Sequence, residues 1–255
     1  MQIKMTVVFA KTFAPSPGVF LRHMTGYAFS HLAKPVPISG SDLTEYLREY
    51  YIQKIGLDGA HAEHTITSDI ASSIKEKYGA LRLGGSTNGT TIFEHASTDD
   101  PVFELPDGTT LTIGEERFNC ADCLFDPPLI ASMIPTLSEE YTHGFSKAIF
   151  DTINSCAEEI REEIMGAIIL SGGNTLFPGI ADRIKDDICS WIKNDVDTFQ
   201  SATSVNVIAS EDRKHAAWHG GSALASMWST FQHQKISRNE YDEKGSSIVR
   251  EKCIR

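Results

Sequence analysis

One stretch of this sequence restricts the fold more than any other: an apolar run, two glycines and an amphipathic segment. Residues 167–170 (Ala-Ile-Ile-Leu) form the unbroken apolar run that is typical of a buried strand. Residues 171–174 (Ser-Gly-Gly-Asn) indicate a turn, and Ile180, Ile184 and Ile188 then recur at helical spacing. The order of strand, glycine turn and helix predicts an α/β fold, and the free N–H groups of such a turn suit a phosphate.

Helical and strand patterns alternate along much of the chain. Ser39 or Ser41 can cap a first helix, and a hairpin is predicted over 103–113 because Asp107 and Gly108 supply a tight turn. These alternating patterns predict an α/β core with a partly parallel sheet. Other expectations are helices over 67–81, 149–164, 178–191 and 215–228, a capping box at 136–139, a strand at 205–208, a loop over 84–90 and irregular structure over 1–31.

Composition narrows the classes of partner. The net charge of −11 repels nucleic-acid phosphates and anionic lipid, so neither nucleic acid nor a membrane surface is expected as a partner. No apolar run reaches the roughly 20 residues that span a bilayer, and no signal-peptide cleavage site is visible. Five cysteines, an odd number, do not indicate a disulfide framework, and a reducing cytosol fits them.

Several separated motifs resemble the actin family in order and spacing. Residues 170–183 (LSGGNTLFPGIADR) resemble the family's Ser-Gly-Gly-Thr loop and the Tyr-Pro-Gly-Ile-Ala-Asp-Arg that follows it. Residues 104–108 (ELPDG), residues 41–47 (SDLTEYL) and the C-terminal pair at 252–253 (Lys-Cys) resemble further family motifs. The resemblance covers residues 26–255. It implies a partial actin-like fold, of the ribonuclease H-like and sugar-kinase superfamily.

The resemblance also implies a division of the chain. Residues 1–33 correspond to a remnant of the N-terminal actin domain, in which residues 4–13 resemble a family helix. Residues 34–137 correspond to the small outer subdomain, and residues 138–255 to the C-terminal large subdomain. The first phosphate loop has no counterpart. Neither do the second phosphate loop and the water-positioning glutamine, which would lie between Pro17 and Gly26.

The same resemblance implies half of a nucleotide site. Weak ATP or ADP binding is expected, with Mg or Ca held only through the nucleotide and with no catalytic residue, so efficient hydrolysis is not expected. The alternative is that these residues persist as scaffold, the charges solvated on a helix and the glycines serving turn geometry. The implied nucleotide-binding residues are Gly40, Lys75, Glu76, Gly172, Gly173, Asn174, Leu176, Phe177 and Lys214.

Cys120 and Cys123 stand at a spacing found in zinc and redox sites. Four ligands are hard to assemble here, because no second cysteine or histidine pair follows at the distance along the chain that is usual in zinc sites. The segment also resembles a structural stretch of actin. No metal site is therefore expected.

An apolar stripe near the C-terminus is a candidate protein-contact surface, formed by Leu224, Met227, Trp228 and Phe231. In the actin family this region borders the cleft that receives neighbouring subunits. Leu224, Met227 and Trp228 are expected to face solvent. The resemblance implies a cytoplasmic, cytoskeletal protein that acts as a filament subunit or as a component of a complex, with actin or other subunits as partners. Two alternatives are an ATPase of the superfamily with residual turnover, and a fragment without independent stability.

Overall fold

The structure is a computed structural model that describes residues 5–9, 18–23, 32, 34–36, 38–56, 65–82, 100–131, 144–194, 204–227 and 235–252. The strands are β1 (Met5–Phe9), β2 (Gly18–His23), β3 (Lys34–Pro35), β4 (Val102–Glu104), β5 (Thr110–Thr112), β6 (Ile168–Leu170) and β7 (Val207–Ile208). The helices are α1 (Gly40–Ile55), α2 (Ser68–Tyr78), α3 (Glu116–Asp122), α4 (Pro128–Ala131), α5 (Phe145–Asn154), α6 (Glu158–Met165), α7 (Ile180–Asn194), α8 (Ala216–Ser226), α9 (Arg238–Lys244) and α10 (Ser247–Lys252). Short 3₁₀ turns cover Gly173–Leu176 and Glu211–Lys214.

A mixed five-stranded sheet organises one part of the molecule, in the order β3-β2-β1-β6-β7. Strand β2 runs antiparallel to β1 and β3, whereas β6 runs parallel to β1 and β7. Ile168 of β6 lies opposite Val7 on one side and Val207 on the other. The predicted α/β core with a partly parallel sheet is therefore confirmed.

The prediction of irregular structure over 1–31 is wrong for the part that the structure describes. Strands β1 and β2 pair from Met5 opposite His23 to Phe9 opposite Val19. The resemblance of residues 4–13 to a helix is also wrong over β1. Its run Thr-Val-Val-Phe consists of residue types that favour strands, and β6 supplies a pairing partner that is distant in the sequence.

A local signal identified the start of α1 correctly. Ser39 caps α1 in a capping box, because its hydroxyl accepts a bond from the Asp42 N–H at 3.4 Å and the Asp42 carboxylate accepts one from the Ser39 N–H at 2.6 Å. The predicted helix over 149–164 is instead two helices, α5 and α6. Arg161 donates bonds of 3.0 Å to the Cys156 and Asn154 carbonyls at the break, which satisfies acceptors at the end of α5.

Two groups of helices build the core. Helices α5, α6 and α7 contact one another or the large sheet, and α1, α2 and α3 pack together. The predicted apolar face of α7 is confirmed, with Ile180, Ile184 and Ile188 buried.

The hairpin β4–β5 is confirmed, with Gly108 at a φ of 84°. Within the described ranges, no helix is long and apolar enough to cross a bilayer. The capping box at 136–139 and the loop over 84–90 lie outside the described residues, and the domain boundaries stay a prediction.

Candidate functional site

The turn after β6 is held rigidly in place. Gly172 has a φ of 96°, a backbone conformation that L side chains rarely adopt. Its N–H donates to the Arg213 carbonyl at 2.8 Å, and its carbonyl accepts bonds from the N–H and hydroxyl of Thr175 at 3.1 and 2.7 Å. Arg213 Nε in turn donates to the Thr175 carbonyl at 3.1 Å. These bonds bring Lys214 next to the glycine turn.

Lys75 joins α2 to the start of α1. Its side chain is only 8% exposed, and Nζ donates bonds of 2.7 Å to the Gly40 carbonyl and to Thr44 Oγ1. The alternative that Lys75 is a solvated helix charge is therefore wrong. Its ammonium group stabilises the contact between the two helices that border the site.

Glu76 and Lys214 lie across the site from each other. The Lys214 ammonium is 3.5 Å from the Glu76 carboxylate, and both side chains are largely exposed. An exposed pair of this kind contributes about 0–1 kcal/mol to folding. Both groups are thus accessible to a ligand at little energetic cost.

These residues surround a pocket of about 140 Å³. Small-molecule sites usually enclose about 300–1,000 Å³, so the pocket is large enough for part of a nucleotide and too small for all of it. Asn174 Nδ2 is buried and finds no acceptor among the described residues, which leaves a donor for a ligand. The pocket is lined by Lys75, Glu76, Gly79, Gly173, Asn174, Leu176, Phe177, Pro178 and Lys214.

Seven of the nine residues named from the sequence thus line one pocket, and the other two brace it. A Cβ at Gly40 would lie 2.5 Å from Asn174 Oδ1, so Gly40 allows the turn to approach α1 closely. Sequence reasoning missed Gly79 and Pro178. Gly79 is the residue that follows the last residue of α2, and a glycine at the end of a predicted helix was the sequence signal that could have identified it. Nucleotide binding at this pocket stays a prediction.

The predicted contact stripe lies on or beside α8, a helix without a buried residue. Leu224 is 45% exposed and Met227 is 50% exposed, whereas Trp228 and Phe231 lie outside the described residues. Trp218, which sequence reasoning missed, is 70% exposed. Among the described elements, α8 has its main contact with the 3₁₀ turn just before it. Its apolar residues therefore face solvent, as expected for Leu224 and Met227.

The cysteine pair on α3 is part of the core. Cys120 and Cys123 are buried free thiols that donate weak bonds to the carbonyls of Leu43 at 3.7 Å and Asn119 at 3.0 Å. Burial raises the pKa of both thiols, that of Cys123 to about 12. Metal ligation and redox chemistry need the thiolate, which burial disfavours. In the part of the chain that the structure describes, no group of three or more His, Cys, Asp or Glu residues is placed to hold a metal.

Comparison with known proteins points to one family. The family described as Actin matches residues 24–254. A curated protein of Dictyostelium discoideum, putative actin-29, is 31% identical over 232 residues, which are 90% of this chain and 55% of the relative. The chain thus spans about half the length of that relative.

Proposed function

Because this chain belongs to the actin family, with a partial α/β actin-like fold, we propose that it is a cytoplasmic, cytoskeletal component of a larger protein assembly. One observation carries the proposal: α8 is an apolar helix that exposes Trp218 and Leu224, and Met227 is exposed directly after its last residue. Large exposed apolar patches mark protein contacts or aggregation sites. The partner class that we propose is actin or another actin-like or cytoskeletal subunit.

The composition of α8 supports the proposal that a partner protein packs against this helix. The helix has 11 residues and carries Gly220 and Gly221 at its middle, each of which costs about 1 kcal/mol of helix propensity relative to alanine. A short helix with such glycines is marginal in water without tertiary packing. A Cβ at either glycine would meet nothing within 4 Å, so the chain itself does not require glycine there. A partner backbone that approaches closely would require it.

Sedimentation tests the proposal. We expect the purified chain at micromolar concentration to associate with itself or to pellet with actin filaments, since both would cover α8. Serum albumin, another acidic protein, is the control for trapping in the pellet. A monomer with a cooperative unfolding transition that stays in the supernatant with filaments would refute the proposal.

A second candidate function is weak binding of an adenine nucleotide. The unpartnered Asn174 amide and the exposed Lys214 ammonium favour it, because both line the pocket and can bond to ligand acceptors. The small volume of the pocket supports a half-site that contacts only the nucleoside part of the nucleotide. A bound nucleotide would bring Mg or Ca with its phosphates. Residual ATP turnover is the runner-up, and phosphate release at rates comparable to those of filamentous actin would favour it.

Titration calorimetry with ATP and with adenosine checks the half-site. We expect dissociation constants of about 0.1–1 mM, within about tenfold of each other because the nucleoside supplies most of the contact. Asn174→Leu and Lys214→Met should each weaken binding by about three- to tenfold, since each removes one polar contact. The matched control is Lys193→Met, an exposed lysine near the end of α7. Equal affinities for all three variants and the unmodified chain would contradict the assignment.

A further inference from the structure

A second concave surface lies away from the pocket beside the glycine turn, between α2 and the β4–β5 hairpin. This groove is shallow and open to solvent, with a volume of about 510 Å³. Ile70, Phe103 and Leu105 give it an apolar floor of partly or fully buried side chains. Its described lining consists of Asp69, Ile70, Ser73, Phe103, Glu104, Leu105 and Pro106.

The walls of the groove are fixed to each other. Tyr78 on α2 donates a hydrogen bond of 3.2 Å to the Val102 carbonyl, and its ring meets Phe103 edge-on with centroids 6.4 Å apart. At the same end of the hairpin, where Thr112 lies opposite Val102, Lys54 Nζ donates to the Thr112 carbonyl at 3.0 Å and binds the buried Glu116 carboxylate at 3.0 Å. A groove with walls held in this way binds a partner without a large cost of ordering.

The rim of the groove is acidic. Asp69 and Glu104 are exposed at its edge, and none of the lining residues that the structure describes is basic. Asp107, at the turn of the same hairpin, accepts a 2.8 Å bond from the Thr109 N–H, and this bond lowers the pKa of its carboxyl. Two carboxylates therefore border the apolar floor, and a third lies at the turn of the same hairpin. This charge repels phosphates and attracts lysine and arginine.

We propose that this groove docks a segment of a partner protein in which a large apolar side chain is flanked by lysine or arginine. The apolar side chain fills the space above Ile70 and Phe103, and the cations pair with Asp69 and Glu104. Apolar anchors in a preformed pocket supply most of the affinity in such contacts, while rim charges add association rate and selectivity. The groove is a separate surface from α8 and does not depend on it.

A fluorescent peptide tests the proposal on the full chain. The probe carries a leucine–tryptophan pair with two arginines on each side, and fluorescence polarisation follows its binding. We expect the double variant Asp69→Asn, Glu104→Gln to weaken binding about tenfold or more, and to reduce its salt dependence. The matched control is Glu159→Gln, Asp182→Asn, which removes two exposed carboxylates from α6 and α7. It should leave the affinity within about twofold.

A second probe separates docking from general charge attraction. Replacing the leucine–tryptophan pair by two glycines should weaken binding about tenfold or more, because the apolar floor then has no occupant. Equal losses in the two double variants, or equal binding of the two peptides, would overturn the proposal. Self-association of the chain that is lost only in the Asp69, Glu104 variant would also overturn it, in favour of a contact between two copies.

Discussion

Replacing Trp218, Leu224 and Met227 together with serine is expected to weaken the association of this chain by at least about 100-fold. These side chains are 70%, 45% and 50% exposed, so a partner can bury much of each one. Full burial of one large apolar side chain is worth about 1.5–3 kcal/mol, and a factor of ten in affinity corresponds to about 1.4 kcal/mol. Sedimentation velocity over a concentration series, alone and with actin filaments, measures the change.

The matched control removes three other exposed apolar side chains. Leu129, Tyr241 and Val249 are 47%, 50% and 42% exposed and lie on α4, α9 and α10. Their replacement by serine should leave association within about threefold, because scattered surface residues contribute little. If both triple variants weaken association equally, α8 is not the contact surface and the proposal fails.

The two glycines of α8 allow a sharper test of the same surface. Gly220→Ala, Gly221→Ala should raise the helicity of α8, because alanine has the higher helix propensity by about 1 kcal/mol per residue. If a partner packs closely on these glycines, the same variant should nevertheless associate more weakly. Circular dichroism and sedimentation would then change in opposite directions. Tighter association would show that the glycines are not at the contact.

Gly79→Ala is expected to destabilise the fold by about 2–3 kcal/mol. A Cβ at Gly79 would lie 2.5 Å from both the Lys75 carbonyl oxygen and Cε1 of Phe177, and real Cβ atoms essentially never approach so closely. Phe177 is 7% exposed and Lys75 belongs to α2, so neither contact yields without moving the pocket. Urea denaturation measures the change in the free energy of unfolding.

Gly173→Ala is the control from the same pocket. A Cβ at Gly173 would meet nothing within 4 Å, and its φ is not in the left-handed region. This substitution should change stability by no more than about 0.5 kcal/mol, as is usual for sites without close neighbours. Equal destabilisation by both substitutions would show that the approach of α2 to Phe177 does not hold the pocket together.

The actin-family motifs and several local elements could be predicted because their determinants lie within a few residues. The Ser39 capping box joins residues three positions apart, and the hairpin depends on a glycine turn between two short strands. The unbroken apolar run of β6 and the helical spacing of the isoleucines in α7 are likewise local sequence patterns. The resemblance to the actin family, rather than a local signal, identified seven residues that line the pocket. Only four of these lie in the motif that runs from β6 to α7, namely Gly173, Asn174, Leu176 and Phe177.

Only the tertiary structure showed the features that depend on contacts between residues far apart in the sequence. Strand β1 forms beside β6, more than 150 residues later, and no local period indicates that partner. The burial of Lys75 follows from acceptors on α1, 31 and 35 positions away in the sequence. The exposure of Trp218 on α8 was likewise visible only in the structure, because an apolar helix has the same sequence pattern whether or not the rest of the chain covers it. Sequence determines which faces are apolar, whereas packing determines which of them meet solvent.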